Sequence, residues 1–256
     1  MTNADILTAA LAQSAIDSGC AADDFLAPRG KVVLSRPHPE ARRYLSLPFF
    51  CDLTYYGHGV VASVSPEFSD YAARYIDTDA PYACFETPRL LALDDAARPF
   101  GMRVCFQAEY WLPDVRLLRA LPCPYETRLL TAADFAPLYV PEFANALCAA
   151  RRELDCLGVG AYDGGRLIGL AACSADCASM RQIGIDVLPA YRRRGVASAL
   201  TSRLAAEILS LGKVPFYCCA WSNAASAKNA IRAGFRPAWM QLTLKPHEYA
   251  RSLAGI

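Results

Sequence analysis

The stretch from Ile183 to Ser198, IGIDVLPAYRRRGVAS, constrains this chain more than any other. Ile183, Ile185 and Val187 alternate with Gly184 and Asp186, the period of two expected of a strand with one buried face. Pro189 has no amide proton to give to a sheet ladder, so the strand should end before it. From Val196 the period lengthens. Val196, Leu200, Leu204, Ile208 and Leu211 recur every three or four residues, as in an amphipathic helix closed by Gly212. Between strand and helix lies a basic turn, Arg192, Arg193 and Arg194, followed by Gly195. A helix that starts there presents backbone N–H groups with no acceptor inside the helix, and the positive end of its dipole lies behind them. An anion suits that arrangement, and the small residues Gly195, Ala197 and Ser198 let a pyrophosphate approach the backbone closely.

Composition removes several rival classes. Twenty-six basic residues against 25 acidic ones leave a net charge of +1, so no global field draws the chain to nucleic acid or an anionic membrane. The start, Met1 to Asp5, lacks the charged and apolar regions of a signal peptide. No apolar run reaches the roughly 18 residues of a membrane span, and a soluble, cytoplasmic protein is expected. Eleven cysteines, an odd number without a secretory signal, argue for free thiols in apolar surroundings rather than a disulfide framework. Cys173 and Cys177 alone have ligand-like spacing, the only histidines are His38, His58 and His247, and no metal site is expected.

At 256 residues, one large or two small domains are expected. In the first half, a helix is expected over residues 3–17, with strands at 31–35, 60–64 and 102–111. A helix capped by Ser65 or Ser69 runs through Tyr75, and a short element lies near 90–93. The aromatics Tyr44, Phe49, Phe50, Tyr55 and Tyr56 read first as core, with the lining of an acceptor pocket as the alternative. The character changes at Leu121 to Pro124, taken as a linker between domains 1–124 and 125–256. Beyond it come a strand over 125–130, a helix over 132–138 capped by Thr131, and a second helical stretch over 141–152. Residues 157–162 and 166–173 flank an Asp-Gly turn, a strong hairpin signal. After the 183–211 unit come a strand over 214–221, a helix over 224–233 capped by Asn223 and ended by Gly234, and a last strand over 235–244.

Two linked motifs resemble the GNAT acetyltransferase superfamily. One is Arg192-x-x-Gly195-x-Ala197 directly after the strand end. The other is Asn223-x-x-Ser226, followed by Gly234 and Phe235. The resemblance covers about residues 125–245. It implies an α/β (α+β) fold class: a mixed central sheet flanked by helices, with the GNAT acyl-CoA N-acyltransferase fold in the C-terminal half and a smaller, degenerate α/β domain in the divergent N-terminal half, placed on the acceptor side. It implies acetyl-CoA as co-substrate. Ile185, Asp186 and Val187 would meet the pantetheine amides, Arg192, Arg193, Arg194, Gly195, Val196, Ala197 and Ser198 would surround the pyrophosphate, and Asn223 and Ser226 would lie near the pantetheine arm. The implied reaction is direct attack of an amine on the thioester.

The chain departs from the family pattern at the chemistry. Ala230 stands where many members carry a tyrosine acid, and Cys218 where one branch carries a glutamate base. Glu109 and Cys218 are the weak catalytic candidates, each weighed against a plain structural role, and Asp186 more simply lines the cleft or faces water. The expected function is an acetyl-CoA-dependent N-acetyltransferase acting on an amine of a small molecule or peptide. The alternatives are a catalytically silent CoA-binding protein and, third, a phosphate or nucleic-acid module using the three arginines. The expected partners are the amine acceptor and, as an arrangement the sequence allows, a homodimer, with no nucleic acid and no membrane.

Overall fold

The computed structural model describes residues 1–254. The strands, in chain order, are β1 (Lys31–Leu34), β2 (Cys51–Tyr55), β3 (Val60–Val64), β4 (Met102–Pro113), β5 (Glu126–Thr131), β6 (Asp155–Asp163), β7 (Arg166–Ser174), β8 (Met180–Val187), β9 (Val214–Ala220) and β10 (Phe235–Pro246). The helices are α1 (Asn3–Ser18), α2 (Ser69–Ile76), α3 (Thr87–Ala97), α4 (Val196–Ser210), α5 (Ala224–Arg232) and α6 (His247–Ala254). The fold is of mixed α/β class, as expected.

The chain divides into two units. The first holds Met1–Ala10 and Trp111–Pro237, and the second holds Leu11–Tyr110 and the chain from Ala238 onward. The boundary expected at Pro124 falls inside the first unit, because the chain crosses between units within α1, β4 and β10 rather than in a linker. Residues 255 and 256 of the expected second domain lie outside the described residues. Asn3 ties the N-terminus to the first unit: its Nδ2 donates to Asp114 Oδ1 at 2.7 Å and its Oδ1 accepts from the Val115 N–H at 2.9 Å.

In the first unit β5, β6, β7 and β8 form an antiparallel meander, and β9 pairs parallel to β8. The apolar stripe of α4, with Val196, Leu200, Leu204 and Ile208 almost wholly buried, packs on Val159, Ala161, Ile168 and Ala171 of the sheet. Burying such side chains contributes roughly 1.5–3 kcal/mol each before the entropy of ordering is set against it. Leu211, expected on that stripe, is exposed, because the helix ends at Ser210 and Gly212 turns the chain with φ +70°.

In the second unit β1 pairs parallel to β3, which is antiparallel to β2, and β2 is antiparallel to β10. Its core gathers Leu53, Val60, Ala62, Phe68, Leu93 and Leu242. Phe49 is buried, while Phe50, Tyr55 and Tyr56 pack partly buried against core clusters. β2, α3 and α6 were not foreseen as such, since two of them lie in proline-bounded segments whose periodicity is short.

The expected helices after β5 also fail. Residues 132–138 and 141–152 form no α-helix, only isolated 3-10 turns at Ala132–Asp134, Ala136–Leu138, Pro141–Phe143 and Ala149–Leu154. Pro137 and Pro141 lack the N–H that a continuing helix needs. Thr131 stands at the N-cap of the 3-10 turn Ala132–Asp134 only, and its hydroxyl and N–H both donate to Asp134 Oδ2, at 3.1 and 2.8 Å. The eleven cysteines are free thiols, five of them buried and six partly buried. No helix among the described residues is long and apolar enough to cross a membrane.

Candidate functional site

A cleft of about 1130 Å³ lies in the first unit, between the C-terminal halves of β8 and β9 and reaching the start of α4. Its origin is in the register. β8 and β9 pair from Met180↔Val214 to Ile183↔Tyr217 and no further, although β8 runs on to Val187 and β9 to Ala220. The two strands part company there. On its other side β8 stays paired to β7 through Val187. Leu188 N–H bonds Ile168 O at 2.9 Å, so the antiparallel alternation directs the backbone groups of Asp186 and Gly184 toward β7. Those of Ile185 and Val187 face the cleft.

The turn closes the cleft at the end of β8. Arg193 and Gly195 both take left-handed conformations, φ +63° and +81°. For an arginine this costs about 1 kcal/mol or more; for glycine it is free of strain. The first bond of α4 runs from Ala199 N–H to Gly195 O at 3.1 Å, so the amides ahead of it have no acceptor within the helix. A Cβ on Gly195 would meet nothing within 4 Å, so the space before these amides is open.

The other wall depends on one glycine. A Cβ on Gly184 would lie 1.9 Å from the carbonyl oxygen of Asn145. Only glycine lets the 144–148 segment cross β8 at this height. The Asp186 carboxylate then fixes the segment by accepting from Asn145 N–H (2.8 Å), Asn145 Nδ2 (2.7 Å) and Ala146 N–H (2.9 Å).

The residues singled out in the sequence divide accordingly. Ile185, Asp186, Val187, Arg192, Arg193, Gly195, Val196, Ala197, Ser198, Asn223 and Ser226 all line the cleft. Several are already committed. Asp186 serves the 145–146 backbone, Arg192 Nε donates to Val187 O at 2.9 Å, and the Ser198 hydroxyl donates to Gly195 O at 3.2 Å. Arg194 donates to the Tyr125 hydroxyl at 2.7 Å and lies over the Tyr191 ring, while Tyr191 donates to Asp163 at 2.9 Å. Asn223 Oδ1 accepts from Ser226 N–H at 3.1 Å, the N-cap read from the sequence, and the Ser226 hydroxyl shares a 2.6 Å hydrogen bond with Tyr217. Tyr217 and Cys219 belong to the core and also reach the cleft, and burial raises the Tyr217 phenol above its ordinary pKa.

Of the catalytic candidates, Cys218 lines the cleft and its sulfur accepts from Gln182 Nε2 at 3.0 Å. Glu109 belongs to the second unit and is not among the lining residues; partial burial alone raises its pKa. Ala230, where a tyrosine would stand, is fully buried in the core. Sequence reasoning missed Gln182, Ser174, Asp155 and the Asn145 segment. Gly184 in mid-strand was the available signal for the last, since such a glycine marks close backbone approach.

The family model described as GNAT acetyltransferase matches residues 153–238, about a third of the chain, which takes in β6 to β9 and both motifs. This part of the chain is similar to that family. No curated protein sequence matches the chain. Among solved structures, a putative GNAT-family acetyltransferase from Novosphingobium aromaticivorans is similar at 22% identity and a TM-score of 0.46, over 56% of this chain and 66% of that one. A GCN5-related N-acetyltransferase-like protein from Streptococcus suis follows at 20% and 0.46, over 61% and 67%. One from Sphaerobacter thermophilus stands at 15% and 0.44, over 73% and 71%. The chain thus spans just under two thirds of the first of these proteins.

Proposed function

We propose that this chain is an acetyl-CoA-dependent N-acetyltransferase that acylates an amine of a small molecule or peptide. The observation that carries the reading is the early end of the β8–β9 ladder directly before a helix N-terminus that opens on a left-handed glycine. An unpaired strand edge receives an extended, amide-bearing arm as it would receive another strand. The backbone groups of Ile185 and the N–H of Val187 suit the pantetheine amides, and the amides of Arg193 to Ser198 suit the pyrophosphate. Arg193, Lys228 and Arg232 add positive charge to the lining of the cleft.

This narrows the contacts expected from the sequence. Asp186 and Arg192 hold the walls of the cleft rather than the ligand. Placing a thioester against a strand-end N–H would stabilise the oxyanion that forms on attack, and such preorganised donors are typically worth about 3–4 kcal/mol. Orientation of the two reactants supplies several kcal/mol more.

Thermal unfolding tests the reading. Acetyl-CoA at about 100 times its Kd should stabilise the protein by about 2.7 kcal/mol, and Gly195→Val should abolish the effect; its Cβ meets nothing within 4 Å, but the left-handed φ of +81° should cost the unliganded fold roughly 1–3 kcal/mol. An unshifted Tm at millimolar acetyl-CoA would overturn the proposal.

A further inference from the structure

The end of the cleft away from the basic turn is built differently. Two carboxylates line the cleft, Asp155 and Asp186, and Asp186 is saturated by three donors. Asp155 is not. It opens β6, pairs with Ser174 of β7, and is followed by a β-bulge at Cys156, a device that re-aims side chains beside functional sites. The residue is 3% exposed. Its two side-chain hydrogen bonds, from Tyr139 Oη at 3.1 Å and from Cys148 N–H at 2.9 Å, both fall on Oδ2. Oδ1 takes neither. Ser174, its partner on β7, and Gln182, paired to Ser174 on β8, line the same cleft, as does Cys218.

Resting on the acetyltransferase reading above, we propose that Asp155 is the catalytic base and that the acceptor is a primary amine that enters as its cation, with the ammonium against Oδ1. The cleft is then polarised to match its two reactants: cations at the turn for phosphates, a carboxylate at the far end for an ammonium. The proton of the ammonium passes to Asp155. The freed lone pair forms the C–N bond, the thioester C–S bond breaks with its electron pair going to sulfur, and the second nitrogen proton ends on the departing thiol. Products are the amide and CoA, and no oxidant or metal is needed.

Burial holds the Asp155 carboxyl above its usual pKa range, and the Asp176 charge adds to this, while the Cys148 N–H, the Tyr139 hydroxyl and Arg151 oppose it. Cys156 on the same strand also faces it. Arg151 is partly neutralised by Asp176, at 3.2 Å, and Arg152 lies over the Tyr139 ring at 4.4 Å. A base of raised pKa is better matched to an ammonium, and such catalysis is typically worth 10²–10⁴-fold.

The test uses the full chain with acetyl-CoA, first by calorimetry and then by CoA release with putrescine, lysine amide, phenethylamine and a lysine-containing peptide at pH 5–9. Asp155→Asn should keep the acetyl-CoA Kd within about twofold and lose about 10²-fold or more in kcat, together with the acidic limb of the wild-type pH profile. Tyr139→Phe, which removes a donor that favours the carboxylate, should remain active and shift that limb to higher pH; it is the second variant should Asp155→Asn not fold. Equal kcat in wild type and Asp155→Asn, or an unmoved limb in Tyr139→Phe, would overturn the role of Asp155. Silence from every amine with acetyl-CoA bound would overturn the cationic acceptor. Failure of acetyl-CoA to bind would instead strike the reading beneath both.

Discussion

The two units are both mixed α/β, and they treat polar groups in opposite ways. In the second unit the β2–β3 ladder is complete, with all five residues of each strand paired from Cys51↔Val64 to Tyr55↔Val60. Several of its buried polar side chains partner one another, although Ser65 Oγ and Gln241 Oε1 find no hydrogen bond. Asp52, 1% exposed, accepts from Gln241 Nε2, Thr243 and Thr54. Arg42 pairs with Asp17 and lies near the rings of Tyr44, Tyr110 and Trp239. In the first unit the β8–β9 ladder stops halfway, and the strand groups beyond it face a cleft. A ladder that runs to its end makes a core; one that stops early makes a site.

Exchanging a single hydrogen for a methyl should break each unit at its tightest point. In Gly184→Ala the new Cβ would sit 1.9 Å from Asn145 O, and in Gly59→Ala 2.3 Å from Arg29 O, both backbone atoms that cannot swing away. Each is expected to cost about 3 kcal/mol or more, beyond ordinary overpacking. The difference lies in the ligand: calorimetry should find acetyl-CoA binding lost in Gly184→Ala and kept by the folded Gly59→Ala protein. Equal retention would mean that the 144–148 wall is dispensable.

A smaller effect separates the closed core by pH. Burial lifts Asp52 to about 6, against the hydrogen bonds from Thr243, Gln241 and Thr54 that pull it down. The folded state therefore holds this proton more tightly than the unfolded chain, whose carboxyl titrates near about 3.9. The stability that Asp52 contributes is complete below pH 4 and is lost as pH rises to about 6, by up to about 3 kcal/mol. Urea titrations should show wild type falling relative to Asp52→Asn across that window, and parallel curves would contradict it.

The smallest effect concerns helix starts. Asn223 caps α5 at the rim of the cleft, whereas α2 in the second unit starts without a side-chain cap. Asn223→Ala should lower stability by about 1 kcal/mol, and Ser69→Ala by a few tenths at most. Equal losses in denaturant midpoints would remove the distinction.

Much of the first unit was legible because its signals are local. Period-two alternation ended by Pro189, period-3.6 spacing from Val196, and Gly195 and Gly212 at the helix ends each specify structure within a few residues. The Asn223 cap and the Asp163-Gly-Gly turn are of the same kind. What stayed hidden depends on partners far along the chain. That Asp186 serves residues 145–146, that Arg192 clamps Val187 O, and that Asp155 comes to the cleft follow from strand register and a bulge. The 132–152 segment was misread because its apolar spacing mimics a helix while Pro137 and Pro141 forbid one. Interleaving of the units was invisible for a further reason: β4 and β10 are continuous strands, and no linker composition marks a boundary inside a strand.

The most direct measurement is a crystal structure with acetyl-CoA bound. Difference density should place the pyrophosphate on the amides of residues 193–198 and run the pantetheine arm along β8 past Ile185, with the thioester beyond the Ile183↔Tyr217 pair. Density for the coenzyme anywhere else, or the strands zipped together through Val187 and Ala220 with no arm between them, would contradict it.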